Sequence, residues 1–185
     1  EIDEITPDVY ALAGSTNNHI ATGGMKTKIQ AAEKEYTGII TLGATTPCYD
    51  LEKEVDEEFP TEHITEQLIQ ETAKSFLGEQ EQVAPIHSAK KVDGKRAYEY
   101  ARLGEEVELK SNTITIKEFD VQFCACPVIE QFEDSKINQA STYQKGIHVK
   151  FRIVCTKGTY IRSLAHEFGQ RLDNGAYLTK LRRTH

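Results

Sequence analysis

The sequence predicts an α+β domain: a mixed, largely antiparallel sheet with flanking helices. Two observations carry this. Strand-like segments come in runs with helices between them, not in the strict alternation that builds a doubly wound parallel sheet. A hairpin-type turn signal, Val92-Asp93-Gly94-Lys95, sits in mid-chain. The 185 residues suit one domain, or one domain with an appendage, long enough to bury a core.

Tyr36 to Leu42 is rich in β-branched residues and closed by Gly43, so it reads as a strand. Residues 44–59 read as a long polar loop. Thr65 suits an N-cap for a helix carrying Leu68, Ile69, Thr72, Phe76 and Leu77, with Gly78 closing it. Pro85 breaks the chain before Ile86-His87-Ser88-Ala89. Arg96 to Leu103 reads as a short helix ended by Gly104. Thr113 to Phe123 alternates as one long strand or two. Residues 127–145 are polar and irregular, as in an exposed insertion. Ile147 to Val154 is a strand with Val149, Phe151, Ile153 and Cys155 on one face. The helix after Thr159 buries Ile161, Leu164, Ala165 and Phe168, an i, i+3, i+4, i+7 stripe.

Hydrophobic content of 38% with 28% charged residues fits a globular chain. No apolar run approaches the roughly 20 residues of a membrane span, and no leader-like segment opens the chain. The cysteines, Cys48, Cys124, Cys126 and Cys155, form no Cys-x-x-Cys pair. Cys124 and Cys126 fall at strand spacing, as apolar filling. A reducing, cytoplasmic compartment is expected. The net charge is −7, yet residues 145–185 hold nine Lys/Arg against Glu167 and Asp173, a local +7 that leaves −14 on the rest. Such asymmetry gives a polyanion one attractive face.

The richest motif runs from Cys155 to Leu164. A strand turns into a helix there, and the turn carries Lys157, Tyr160 and Arg162, two cations and a phenol at a junction suited to an anion or a base. With Gly175-Ala176-Tyr177-Leu178 and Leu181-Arg182-Arg183-Thr184, this segment resembles the TruB family of tRNA pseudouridine synthases. Three earlier stretches are similar in the family's order: Lys34-Glu35-Tyr36 with Leu42 to Thr46 and Asp50; Gln82 to Ala89; and Lys91 to Glu99. The resemblance covers roughly residues 34–184.

It implies a pseudouridine synthase-like catalytic domain and isomerisation of a T-arm uridine in tRNA. The bond from the ribose to N1 is broken, and the base is turned and rejoined to the ribose through C5, with no cofactor and no metal. Such a base must leave its stack. Tyr36 matches the tyrosine that packs on the flipped base. Arg162 matches the arginine that pairs with the catalytic aspartate. Tyr160 and Leu178 match pocket-lining residues. Lys157 adds charge beside them, and Lys90, Lys91, Lys95 and Arg96 around Asp93-Gly94 suit phosphate contacts. The expected partner is the tRNA T-arm stem-loop, with no membrane partner and the chain a monomer.

The family's nucleophile is an aspartate in a Gly-Thr-Leu-Asp-Pro-Leu-Ala-Thr-Gly loop. Aligned on Ala21-Thr22-Gly23, Asn18 takes its place, so the catalytic fold is expected to be incomplete at the N-terminus. A catalytically inactive RNA-binding module of the same fold is therefore the alternative. Residues 1–33 form an atypical segment before a body at 34–185. Glu4-Ile5-Thr6-Pro7, Ala11 to Gly14 and Thr22 to Ala32 are instead similar to glutamate 5-kinase, where Lys28 would stand near ATP phosphates. A segment this short cannot make that fold, so ATP binding is not expected. No C-terminal RNA-binding accessory domain is expected after Thr184-His185.

Overall fold

The computed structural model describes residues 33–124 and 146–184. Residues 1–32, with Asn18 and the kinase-like stretches, lie outside them, as do Cys126 and the expected insertion at 127–145.

Five strands form the main sheet: β1 (Glu33–Leu42), β4 (Gly78–Val83), β7 (Ser111–Phe123), β8 (Ile147–Thr156) and β9 (Ala176–Arg183), in the order β4-β7-β8-β1-β9. Two short ladders accompany it, β2 (Ala44–Thr45) with β3 (Glu57–Glu58) and β5 (Lys91–Val92) with β6 (Lys95–Arg96). The helices are α1 (Glu66–Lys74), α2 (Ala97–Leu103) and α3 (Ile161–Arg171). Every described pairing in the main sheet is antiparallel, in keeping with the expected α+β domain and its largely antiparallel sheet. The reason is topological. The α3 connection takes β8 to β9, but these strands flank β1 and do not pair with each other.

Local sequence accounts for most elements. Thr65 caps α1 by accepting from the Leu68 N–H at 3.2 Å. Gly104, at φ 69°, ends α2 in the left-handed region. Asp93 and Gly94, both at positive φ, close the β5–β6 hairpin. The α3 stripe is buried as expected, on the alternating face of β8 that carries Val149, Phe151, Ile153 and Cys155. Phe76, Phe119, Phe151 and Phe168 meet mainly edge to face in that core.

Two segments differ from expectation. Gly78 does not close α1; Ser75 caps it, and Gly78, at φ 102°, begins β4. Gly-Glu-Gln-Glu-Gln-Val lacks apolar alternation because β4 is an edge strand, paired only with β7 and mostly exposed. The expected loop at 44–59 contains the β2–β3 ladder and buries Ala44, Thr46 and Cys48.

β1 runs between β8 and β9, with Gly38 opposite Phe151 on one side and Leu181 on the other. A Cβ on Gly38 would overlap the Lys180 carbonyl oxygen and lie 2.8 Å from the Phe151 ring. Backbone has no room to yield there, so Gly38→Ala should destabilise the protein by about 1–3 kcal/mol, the range for overpacking. Urea unfolding checks this; an unchanged midpoint would mean that β9 can shift freely.

Candidate active site

α3 starts at a polar junction. The Tyr160 N–H donates to Gln82 Oε1 at 2.8 Å, and Gln82 Nε2 donates back to the Tyr160 carbonyl at 3.1 Å. Gln82 is only 3% exposed, so this reciprocal pair satisfies both of its polar ends. Ser163 Oγ adds a bond to the Val83 carbonyl at 3.0 Å. Together they fasten the first turn of α3 to β4, and that turn aims Arg162.

Arg162 has two partners. One guanidinium nitrogen lies 3.4 Å from Asp50 Oδ2, and another donates to the His87 carbonyl at 3.2 Å. The pair is partly buried, its side chains 24% and 18% exposed. Asp50 is itself held by the Cys48 thiol and the Glu52 N–H, donating to Oδ1 at 2.9 and 3.0 Å, while Thr46 Oγ1 donates to its carbonyl at 2.7 Å. Burial pushes the Cys48 thiol up, which keeps it a neutral donor to the carboxylate.

The loop carrying Asp50 is docked at both ends. Gly43 N–H approaches Asn174 Oδ1 at 2.9 Å and the Gly175 carbonyl at 3.0 Å. The Leu178 N–H donates to the Tyr49 carbonyl at 2.9 Å. Gly175 is required here, since a Cβ would sit 2.6 Å from the Phe59 ring. Tyr49, at φ 65°, stacks on His166 with ring centroids 4.0 Å apart.

The expected site residues divide into four groups. Arg162, Tyr160 and Leu178 come together through α3 and the 46–50 loop; the Leu178 side chain belongs to the core, at 5% exposure. Tyr36 lies half-buried on β1, level with Ile153 and Arg183, and burial pushes its phenol up, with Cys155 next and Arg183 opposing. Lys157 stands exposed on the β8–α3 turn. Lys91, Lys95 and Arg96 form an exposed hairpin, Lys95 over the Tyr100 ring and Arg96 over Tyr98. The hairpin is tied to the site through its base: Ala97 N–H to the Lys90 carbonyl at 2.7 Å and Tyr98 N–H to the Ser88 carbonyl at 3.1 Å, beside His87.

The basic C-terminal segment does not form one face. Arg152 is taken up by Glu35, Glu118 and Asp120, and Arg171 lies over Phe76 and bonds the Ser75 carbonyl. Lys150, Lys180 and Arg182 border a depression of about 250 Å³ with Thr37 and Ile39, on the alternate positions of β8, β1 and β9. Sequence reasoning missed Asp50 as the partner of Arg162, along with Gln82, Tyr49 and His166. Asp50 and Gln82 left a signal only in that one ends and the other begins a family-like stretch. Among the described residues, no three His, Cys, Asp or Glu cluster as metal ligands, and no helix is long and apolar enough to cross a membrane.

Residues 21–161 match the family described as TruB family pseudouridylate synthase (N terminal domain). The chain belongs to the TruB family. It is 50% identical over 168 residues to tRNA pseudouridine synthase B of Flavobacterium johnsoniae, covering 89% of this chain and 65% of that protein. The enzyme of the same name from Phocaeicola vulgatus is 45% identical, over 89% of this chain and 63% of its own length. That from Parabacteroides distasonis is 48% identical, over 85% and 58%. The chain thus spans under two thirds of the length of these curated relatives. A chain of a solved Cbf5-Nop10-Gar1 complex is 23% identical over 87% of this chain and 33% of its own, at a TM-score of 0.48. The TruB match begins at residue 21, so it includes the kinase-like stretch from Thr22 to Ala32.

Replacing Gln82 by Leu leaves the Tyr160 N–H without its partner, whereas the Tyr160 carbonyl keeps the Leu164 N–H at 3.1 Å; the change should cost about 1–3 kcal/mol for the one donor left behind. Denaturant titration measures it, and a change below that range would mean water takes over the amide. His166 has a depressed pKa, chiefly from burial, with Asp56 opposing. The neutral ring's contribution is therefore complete above the unfolded value of about 6.5 and is lost as pH falls through the lower folded value. His166→Phe should remove that part of the acid sensitivity while His148, depressed by the same cause, keeps its own. Parallel stability–pH curves for the two proteins would contradict this.

Proposed function

We propose that this chain is the catalytic-domain body of a tRNA pseudouridine synthase that isomerises a T-arm uridine. The observation that carries the reading is Arg162, held by Asp50 and the His87 carbonyl where β8 turns into α3 in a TruB-family chain. A guanidinium so oriented can fix a carboxylate and keep it ionised while a nucleotide is handled beside it. Tyr36 stacks on the turned base, and Tyr160 and Leu178 shape the pocket. The hairpin cations Lys91, Lys95 and Arg96, with Lys157, hold backbone phosphates, an interaction that weakens as salt rises. The protein acts as a monomer, in the cytoplasm, and needs no cofactor. The body occupies residues 34–185, after an atypical segment at 1–33 whose residues from 21 onward already fall within the TruB match.

A second reading has its own support. Asn18 stands at the position aligned with the nucleophilic aspartate, and an amide cannot attack the sugar or base. The carboxylate that Arg162 does hold, Asp50, is already bonded by Cys48 and Glu52. On that reading the chain binds T-arm RNA without converting it.

Tritium release from a C5-labelled uridine in a T-arm stem-loop separates the two. Release above background supports the synthase; tight, salt-sensitive binding with no release supports the binding module. In a releasing chain, Arg162→Ala should abolish turnover without unfolding. Tyr36→Ala should weaken handling of the base by about 1–3 kcal/mol, the worth of one base–aromatic stack. Unchanged turnover in either variant removes that residue from the site.

A further inference from the structure

Arg162 and His166 are four residues apart on α3, so their side chains leave the same face of the helix, one turn apart. The 46–50 loop lies along that face. Asp50 meets Arg162, and Tyr49 meets His166 with ring planes 14° apart. The loop therefore makes two neighbouring contacts with one helix, one ionic and one stacked.

Three features of the stack bear on the ionic contact. First, Tyr49 is fixed from both sides: its ring lies on α3 and its carbonyl accepts from the Leu178 N–H of β9. Second, Tyr49 adopts φ 65°, a left-handed conformation that a non-glycine residue keeps only when its surroundings impose it. Third, His166 Nδ1 is buried with no hydrogen-bond partner, so on that side the imidazole is retained by packing and not by a polar contact. The Arg162–Asp50 separation of 3.4 Å is longer than the roughly 2.7–2.9 Å of a close charge-assisted hydrogen bond, so a small loop movement would weaken it.

We propose that Tyr49 and His166 are positioning residues for the Arg162–Asp50 pair: their stacked rings hold the 46–50 loop on α3 and thereby set where the carboxylate meets the guanidinium. The consequence for uridine isomerisation rests on the function proposed above; the clamp itself does not.

The test uses the full chain and three variants, His166→Ala, His166→Phe and Tyr49→Leu. Nuclear magnetic resonance reads two signals: hydrogen exchange of the Leu178 amide, which reports loop release, and the side-chain N–H resonance of Arg162, which reports its pairing. In His166→Ala, Leu178 exchange should accelerate at least tenfold while the Ile153 amide in β8 stays as slow as in the parent, and the Arg162 resonance should move toward that of a free arginine. His166→Phe, which keeps a stacking ring, should restore both signals. Should the alanine variant not fold, Tyr49→Leu removes the stack with less loss of bulk and should give the same changes. Unchanged Leu178 exchange, an Arg162 resonance that does not follow it, or failure of phenylalanine to restore either would overturn the proposal. Tritium release adds a separate reading. If the chain is a synthase, His166→Ala lowers kcat with KM little changed. If no form of the chain releases tritium, the enzyme reading fails, while the two resonance signals still decide the clamp.

Discussion

The placement of β1 between β8 and β9 is the constraint on which the rest depends. It joins residues more than a hundred positions apart in sequence, and it is possible only because Gly38 lets the Lys180 carbonyl and the Phe151 ring approach. Once β1 lies there, Tyr36 is set level with Ile153 and Arg183, and the chain leaving Leu42 is delivered to the α3–β9 turn. Asn174 and Gly175 receive it. Asn174 Oδ1 accepts from the Gly43 N–H, and its amide donates to the Pro60 carbonyl at 2.7 Å. The loop that carries Asp50 is thus held by the segment that follows the helix carrying Arg162.

Arg162 owes its orientation to the opposite end of the sheet. Gln82 sits on the edge strand β4, yet it is buried and exchanges two hydrogen bonds with the Tyr160 peptide. A single such bond contributes about 1 kcal/mol net, but losing the buried partner exposes the full desolvation cost of the groups left behind. The edge strand is polar along most of its length for the ordinary reason that water satisfies it. At Gln82 the polarity serves the interior instead.

The charge distribution in space differs from that in sequence. The nine C-terminal cations cluster along the chain, but strand alternation and helix periodicity divide them. Arg162 enters the site, Arg152 and Arg171 are consumed in contacts within the fold, and Lys150, Lys180 and Arg182 fall on alternate positions of neighbouring strands. An attractive surface for a polyanion has to be assembled from side chains that remain accessible, which a running sum of charge does not reveal.

By itself the sequence determined what depends on local chemistry. The Thr65 cap, the Asp93-Gly94 turn, the Gly104 stop, the period-2 burial of β8 and the 3.6-residue stripe of α3 all follow from propensities and spacings within a few residues. The choice of Arg162 as a candidate site residue also came from local sequence, because the motif around it is contiguous. Tertiary structure decided the partners. Asp50 meets Arg162, Gln82 grips Tyr160 and Tyr49 stacks on His166 across separations of about eighty to more than a hundred positions. Nothing in the local sequence encodes those distances. β4 was illegible for a related reason: an edge strand has one partner and two wet faces, so it imposes no apolar alternation. Hydrophobic pattern records which face a residue turns to the core, whereas a polar contact is fixed only when the packed sheet brings its two ends together.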